Sequence, residues 1–323
     1  MSQTKPAVFV ARRIFPDVVA RLREHAEVEE TDSDEPLPPE QLIRRLQGKA
    51  GLFATGTERI DAALLDACPE LRAVCLMTVG YNNVDLAACT ARGVRVSNAP
   101  DVLTETTADF GFGLMMAAAR RISESERYLR EGQWKQWHVD LLVGADVHGS
   151  TLGVLGMGRI GQAIARRGAL GFGMRVIYHK RSRLAPEQEQ PLGARWVDKE
   201  TLLRQSDHLV IVMPYSPEAH HLIGATELAL MKPSATLTNV ARGGIVDDAA
   251  LAAALQAGRL AAAGLDVFEG EPAVHPGLLA CRNVVLTPHI ASASIPTRRA
   301  MCDLAVDNLI AALTGRPMKT ALN

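Results

Sequence analysis

From residue 7 to residue 286 the chain alternates short, unbroken apolar runs with longer segments of helical periodicity, and this alternation leaves few folds open. Runs at 7–10, 51–54, 73–77 and 94–97 are apolar almost throughout and too short for helices. A strand apolar on both faces must be covered on both faces, which is the habit of parallel sheets wrapped by helices. Helical segments fall between them at 16–25, 39–47, 61–67 and 84–92, with Gly93 where a C-cap belongs. A second series begins at 151, with strands expected at 151–155, 174–178, 209–213, 235–240, 260–267 and 284–286. Helices at 159–170, 199–206 and 247–257 separate several of them.

Two helical segments stand outside the alternation. Residues 104–131 read as one unusually long helix between the two series, and 297–313 follow the last strand. The expected fold class is α/β, with two doubly wound parallel-sheet domains. The long helix and the late one imply that the chain crosses between domains twice, giving one domain at 1–100 plus 291–323 and another at 101–290. At 323 residues, about 150 per domain also suggests two domains.

With 47% hydrophobic and 22% charged residues, the composition excludes a mainly disordered chain. Its 35 basic and 36 acidic residues leave no basic excess for nucleic acid or an anionic membrane. Five cysteines (Cys68, Cys75, Cys89, Cys281, Cys302) at irregular spacings suit reduced, buried thiols. The start, Met1-Ser2-Gln3-Thr4-Lys5-Pro6, lacks the pattern of a signal peptide. The longest apolar stretch, 110–119, is half of the roughly 20 residues a bilayer requires. A soluble, cytoplasmic protein is the expectation.

The first chemical motif is Gly156-x-Gly158-x-x-Gly161, which follows an apolar strand and opens a helix. In that context Gly156 makes the tight turn, Gly158 lets the backbone approach a pyrophosphate and Gly161 permits close helix–sheet packing. The helix start at Arg159-Ile160 offers N–H groups and a positive dipole end to phosphates. An NAD site usually places an acid about 20 residues on, for the ribose 2′-hydroxyl. Here the next strand ends in His179-Lys180-Arg181-Ser182-Arg183, with Lys180 19 residues past Gly161. Cations there attract the 2′-phosphate of NADP, so NADPH is the expected cofactor, with NADH also possible.

Three polar residues follow successive strand ends, where open α/β sheets bind ligands: Arg242, Glu271 and His289. Singly they could be a surface cation, a turn acid and a packed imidazole; together they read as a catalytic set. Arginine can hold a carboxylate and polarise a keto oxygen, while histidine exchanges protons near neutral pH. A neighbouring Glu271 carboxylate favours the imidazolium.

These segments, with Thr78-Val79-Gly80-Tyr81-Asn82-Asn83-Val84-Asp85, Ser97-Asn98-Ala99-Pro100 and Thr106-Thr107-Ala108-Asp109, closely resemble the D-2-hydroxyacid dehydrogenase family along nearly the whole chain. The 29- and 18-residue spacings of Arg242, Glu271 and His289 fit it. Val102-Leu103-Thr104-Glu105-Thr106 and the basic loop are most similar to its bacterial glyoxylate/hydroxypyruvate reductase B branch, also called 2-ketogluconate reductase. The resemblance implies a Rossmann NAD(P)-binding domain and a flavodoxin-like substrate domain, with the active site in the cleft between them. It further implies that backbone N–H groups at Val79 and Gly80 hold the substrate carboxylate. Asp266 would bind the nicotinamide carboxamide, with Thr107, Val240 and Ala241 lining that end. His289 would donate the proton as hydride reaches the carbonyl carbon.

The resemblance also implies a homodimer, in which an aromatic of Gly132-Gln133-Trp134-Lys135-Gln136-Trp137 reaches the partner's substrate site; Trp137 is the candidate. Packing under a loop is the plainer alternative for both tryptophans. The chain departs from the family at Ala291, where glycine is usual, and at Ala219, where threonine is common. The pair His220-His221 has no metal-ligand spacing and reads as solvated surface, so no metal is expected. Two further readings stay open: an NAD-linked dehydrogenase for a bulkier 2-hydroxy acid, and a dinucleotide-sensing binding protein on the same fold.

Overall fold

The computed structural model describes residues 5–31 and 33–323; the first four residues of the segment read for targeting lie outside these. The chain forms two compact units, Met1–Leu103 with Ser294–Asn323, and Thr104–Ala293.

The first unit runs β1 (Ala7–Val10), α1 (Pro16–Arg23), β2 (Glu27–Glu30), α2 (Pro39–Leu46), β3 (Gly51–Ala54), α3 (Ala62–Ala67), β4 (Ala73–Leu76), α4 (Leu86–Ala91) and β5 (Arg95–Ser97). Its five strands are all parallel, in the order β2-β1-β3-β4-β5. The C-terminal helix, Ile295–Leu313, returns to pack on β3 and β4. It lies so close that a Cβ on Gly51 would stand 2.8 Å from Leu309 Cδ1. Ser294 caps it by accepting the Thr297 N–H, and the tail closes with Leu322 N–H on the Val96 carbonyl at 2.8 Å.

β2 was not expected from the sequence, and its composition explains why. It is an edge strand, Glu-Val-Glu-Glu, paired among the described residues only with β1, so it carries charge instead of an apolar run. Glu29 is held by Lys49 at 2.7 Å and by Arg45, and Glu30 by Arg23.

The second unit runs α5 (Thr104–Ala119), α6 (Ile122–Arg130), β6 (Thr151–Leu155), α7 (Arg159–Arg166), β7 (Arg175–His179), α8 (Pro186–Glu189), β8 (Arg195–Trp196) and α9 (Lys199–Gln205). It continues with β9 (His208–Ile211), α10 (Ala225–Leu230), β10 (Thr236–Asn239), α11 (Asp248–Gln256), β11 (Ala262–Leu265), α12 (Pro276–Leu279) and β12 (Val284–Leu286), and the C-terminal helix is therefore α13. Seven parallel strands take the order β12-β11-β10-β9-β6-β7-β8. Both faces are cores: Leu152 and Val154 of β6 pack with α5 and α7, while Leu155 faces the cluster built from α9, α10 and α11. The two-residue alternation of strands thus feeds two helical layers. Strand order reverses between β6 and β9, which opens a crevice at their carboxyl ends.

The single helix expected over 104–131 is two helices. The Ala119 carbonyl accepts the Ala145 N–H at 2.9 Å, where helix continuation would have used it. Arg121 then turns left-handed, φ 54°, and starts α6 with its guanidinium on Glu124 at 2.8 Å. Likewise α7 ends at Arg166 and widens into a π turn over Arg167–Gly171. All five cysteines are buried and free. No helix among the described residues is long and apolar enough to cross a membrane.

Candidate active site

The glycine turn sits where the strand order reverses. Gly156 has φ +101°, and a Cβ there would come 2.8 Å from the backbone of Val212 and Met213 beyond β9. A Cβ on Gly161 would come 2.3 Å from the Gly156 carbonyl oxygen. Both positions are therefore closed to side chains by the protein itself. Gly158, the N-cap residue of α7, differs: a Cβ there would meet nothing within 4 Å, so its bare backbone faces open space at the helix N-terminus, next to Arg159 and Ile160. On α5, Thr107 is 5% exposed and its hydroxyl has no hydrogen-bond partner among the described residues. An open anion-binding helix end and an orphaned buried hydroxyl both fit a dinucleotide.

The basic loop is fixed to this turn. Gly156 N–H donates to the His179 carbonyl at 2.9 Å, so β7 ends beside the glycines. The His179 ring hydrogen-bonds the Val197 carbonyl at 2.8 Å, and Trp196 Nε1–H donates to the Lys180 carbonyl at 3.0 Å. Behind the loop, buried Tyr178 donates to Glu189, and burial with that neighbour pushes its hydroxyl up to about 12. Arg183 is spent on the same carboxylate at 2.7 Å, which it holds below the ordinary range. The side chains of Lys180, half-buried, and Arg181, exposed, form no ion pair among the described residues.

Arg242, Glu271 and His289 are brought together by the ends of β10, β11 and β12. Buried Asn239 shapes the first loop, its side chain accepting Ala241 N–H at 3.0 Å and donating to the Arg242 carbonyl at 3.2 Å. Gly243 lets this loop touch the next one: a Cβ there would lie 1.7 Å from the Phe268 carbonyl oxygen. The Phe268 N–H donates to Glu271 Oε1 at 2.9 Å, and Glu271 Oε2 lies 2.8 Å from His289 Nδ1. Burial pushes the Glu271 carboxyl up, but His289, the Phe268 N–H and Arg242 outweigh it and hold the group below the usual range. Because a carboxylate only accepts, Nδ1 carries the proton toward it and Nε2 is the working nitrogen. Burial lowers the affinity of the Arg242 guanidinium for its proton, partly offset by Glu271, yet arginine stays charged. It donates one N–H to the Ala241 carbonyl at 2.6 Å and has no ion pair among the described residues.

Asp266 has a role that spacing did not reveal. It is fully buried, and its oxygens accept from Thr287 Oγ1 at 2.7 Å, Ile290 N–H at 2.9 Å and Ala291 N–H at 2.8 Å. His289 N–H meets the Asp266 carbonyl at 2.9 Å. These three donors make Asp266 the anchor of the turn on which His289 sits at φ +54°, with Oδ2 carrying one donor and Oδ1 two. Val240 and Ala241 are buried beside the Arg242 loop. In the first unit, the Val79 and Gly80 carbonyls are held by Asn98 Nδ2 at 2.7 Å and Thr78 Oγ1 at 2.9 Å. Trp134 and Trp137 are 54% and 75% exposed, so neither packs under a loop.

Residues 112–291 match the family model described as D-isomer specific 2-hydroxyacid dehydrogenase, NAD binding domain. The glyoxylate reductase of Thermococcus gammatolerans is 46% identical, over 99% of this chain and 96% of its own. The crystal structure of an NADPH-dependent glyoxylate/hydroxypyruvate reductase from Sinorhizobium meliloti, with NADP and malonate, superposes with a TM-score of 0.88 at 37% identity, covering 99% of this chain and 97% of that one. Holo D-mandelate dehydrogenase of Rhodotorula graminis gives 0.88 at 28% identity, covering 99% and 98%. The glycine turn, the paired His289 and Glu271 and these likenesses together place the chain in the D-isomer specific 2-hydroxyacid dehydrogenase family, NAD(P)-dependent oxidoreductases that act on CH–OH groups.

Proposed function

We propose that this chain reduces small 2-keto acids to D-2-hydroxy acids with NADPH, taking glyoxylate and hydroxypyruvate and extending to 2-ketogluconate. The observation that carries this reading is Arg242: a half-buried cation without an ion pair among the described residues, beside a His289–Glu271 pair at 2.8 Å. A guanidinium drawn partly out of water, with only the nearby Glu271 charge to offset it, has room for an anion on its free N–H groups, and a substrate carboxylate supplies one. Its remaining N–H groups bind that carboxylate and polarise the keto oxygen. Glu271, kept anionic, fixes the His289 ring so that Nε2–H points at the forming alkoxide and gives up its proton there. When bound, the dinucleotide supplies the hydride. In this reading Gly156, Gly158 and Gly161 cradle its pyrophosphate, with Thr107, Val240 and Ala241 at the nicotinamide end and Lys180 and Arg181 on the 2′-phosphate. Asp266 takes the nicotinamide carboxamide in this reading, besides anchoring the turn that carries His289.

The proposal assigns cofactor binding to residues 104–293 and gives the first unit, with Val79 and Gly80, to the substrate. It makes the enzyme a cytoplasmic homodimer, consistent with five free, buried thiols and an exposed apolar arm at 122–143. The test is kcat/KM for glyoxylate, hydroxypyruvate, 2-ketogluconate and a bulky aryl keto acid with each cofactor. Glyoxylate with NADPH is expected to be turned over efficiently, and His289→Gln to cut kcat by about 10²–10⁴ with NADPH binding retained. Preference for the aryl substrate with NADH would support the NAD-linked alternative. Dinucleotide binding with no turnover would make the chain a sensor.

A further inference from the structure

We propose that His220, His221 and Glu269 form a binding site for one zinc-class divalent cation, separate from the Arg242, Glu271 and His289 set. Adjacent histidines look like solvated surface in sequence because the third group lies 48 residues away, and the fold supplies it. The Glu269 oxygens face both rings, one 2.8 Å from His221 Nε2 and the other 3.7 Å from His220 Nε2. One ligand atom from each of the three residues lies within 4.8 Å of the others. With metal–ligand bonds of about 2.0–2.2 Å, tetrahedral donors stand roughly 3.3 Å apart, so small side-chain rotations close the set.

Two features separate this cluster from chance proximity. Neighbouring side chains on an extended backbone point to opposite sides, yet these rings stack 4.0 Å apart at 20°. The left-handed conformation of His221, φ 51°, brings them to one side, a cost a non-glycine residue bears only where its surroundings demand it. The other ring nitrogens have polar neighbours, a hydrogen-bond partner for His220 and a carboxylate at ion-pair range for His221. His220 Nδ1 lies 3.3 Å from the Tyr215 hydroxyl and His221 Nδ1 3.8 Å from the Asp247 carboxylate. The His220 contact is the kind of outer hydrogen bond that orients an imidazole toward a metal, while Asp247 is an electrostatic neighbour of His221. Two imidazoles and a carboxylate favour zinc, nickel or cobalt over magnesium or calcium. With the side chains of all three at 38–44% exposure, an ion has open access and water completes its coordination.

The test uses chelator-treated full-length protein titrated with zinc against a chromogenic zinc indicator, with thermal melting in parallel. One equivalent bound with micromolar affinity is expected, with a melting temperature that rises with zinc. His220→Ala and Glu269→Gln should each weaken binding at least tenfold and abolish the shift, with metal-free melting unchanged. His25→Ala, an exposed histidine in the first unit, should bind as wild type. Absence of stoichiometric binding at 100 µM zinc, on the order of a hundred times the expected dissociation constant, overturns the site. So does wild-type affinity in both cluster variants.

Discussion

Gly158 and Gly243 are glycines for opposite reasons. At Gly243 an added Cβ would stand 1.7 Å from the Phe268 carbonyl oxygen, so the protein forbids it; at Gly158 nothing lies within 4 Å. Gly243→Ala must push apart the loops bearing Arg242 and Glu271. It is expected to destabilise by about 1–3 kcal/mol and to lower kcat, checked by urea melts and steady-state rates. Gly158→Ala should leave the melts unchanged and weaken dinucleotide binding about tenfold, roughly 1.4 kcal/mol, read by fluorescence titration. A Gly158→Ala variant that lost stability but not affinity would remove that residue from the cofactor site. The basic loop divides in the same way. Arg183 is neutralised by Glu189, so the proposed contact with a 2′-phosphate falls to Lys180 and Arg181. Lys180→Ala with Arg181→Ala should therefore raise the KM for NADPH far more than for NADH, and equal effects would sink the NADPH assignment.

Among elements, the junction of β6 with β9 carries the cofactor crevice, and Asp207 secures its far end. Its carboxylate accepts Thr151 N–H at 2.8 Å and the Lys232 ammonium at 2.7 Å. Burial raises its pKa, but these donors outweigh it and hold the group below the ordinary 3.8. A native pKa below the unfolded one stabilises fully above the unfolded value and is lost as pH falls through the native value. Asp207→Asn should therefore cost about 1.5–3 kcal/mol at neutral pH, with the gap closing below pH 3.8, as urea melts across that range would show. A gap independent of pH would mean that packing, not charge, holds the junction. Strands such as β6 and β9 were legible in the sequence because burial on both faces writes a continuous apolar run. β2 was not, since an edge strand can be acidic, nor was two-residue β8. The break at Arg121 depends on Ala145 reaching the Ala119 carbonyl, and no local pattern encodes that. The site divides similarly. Arg242, Glu271 and His289 announce themselves by following strands, whereas the closeness of Gly243 to Phe268 and the hold of Asp266 on residues 290–291 exist only in three dimensions. In the first loop, the Arg242-Gly243-Gly244 glycines were the available signal.

For the whole molecule the near-neutral charge matters less than where the apolar surface lies. Ile122, Leu129, Trp134, Trp137, Val139 and Val143 are 51–82% exposed, and all fall within 22 consecutive residues. Isolated exposed apolar groups are ordinary; such a concentration of large ones is the surface that the proposed dimer would cover. A second copy of this chain is the simplest cover, because a two-fold dimer pairs a patch with itself and needs only about 800 Å² from each partner. Sedimentation equilibrium at micromolar concentration should then give twice 34.8 kDa, and Leu129→Asp with Val139→Asp should give single chains of unchanged circular dichroism. A wild-type mass of 34.8 kDa would dismiss the dimer. The monomeric variant also tests Trp137, which is 75% exposed in its own chain. If it completes the partner's substrate site, separation raises the KM for keto acid and leaves dinucleotide affinity alone, because the glycine turn and basic loop belong to one unit of one chain. Trp137→Ala in the dimer should reproduce that KM change without altering the mass. Trp137→Ala with an unaltered KM would confine this tryptophan to assembly.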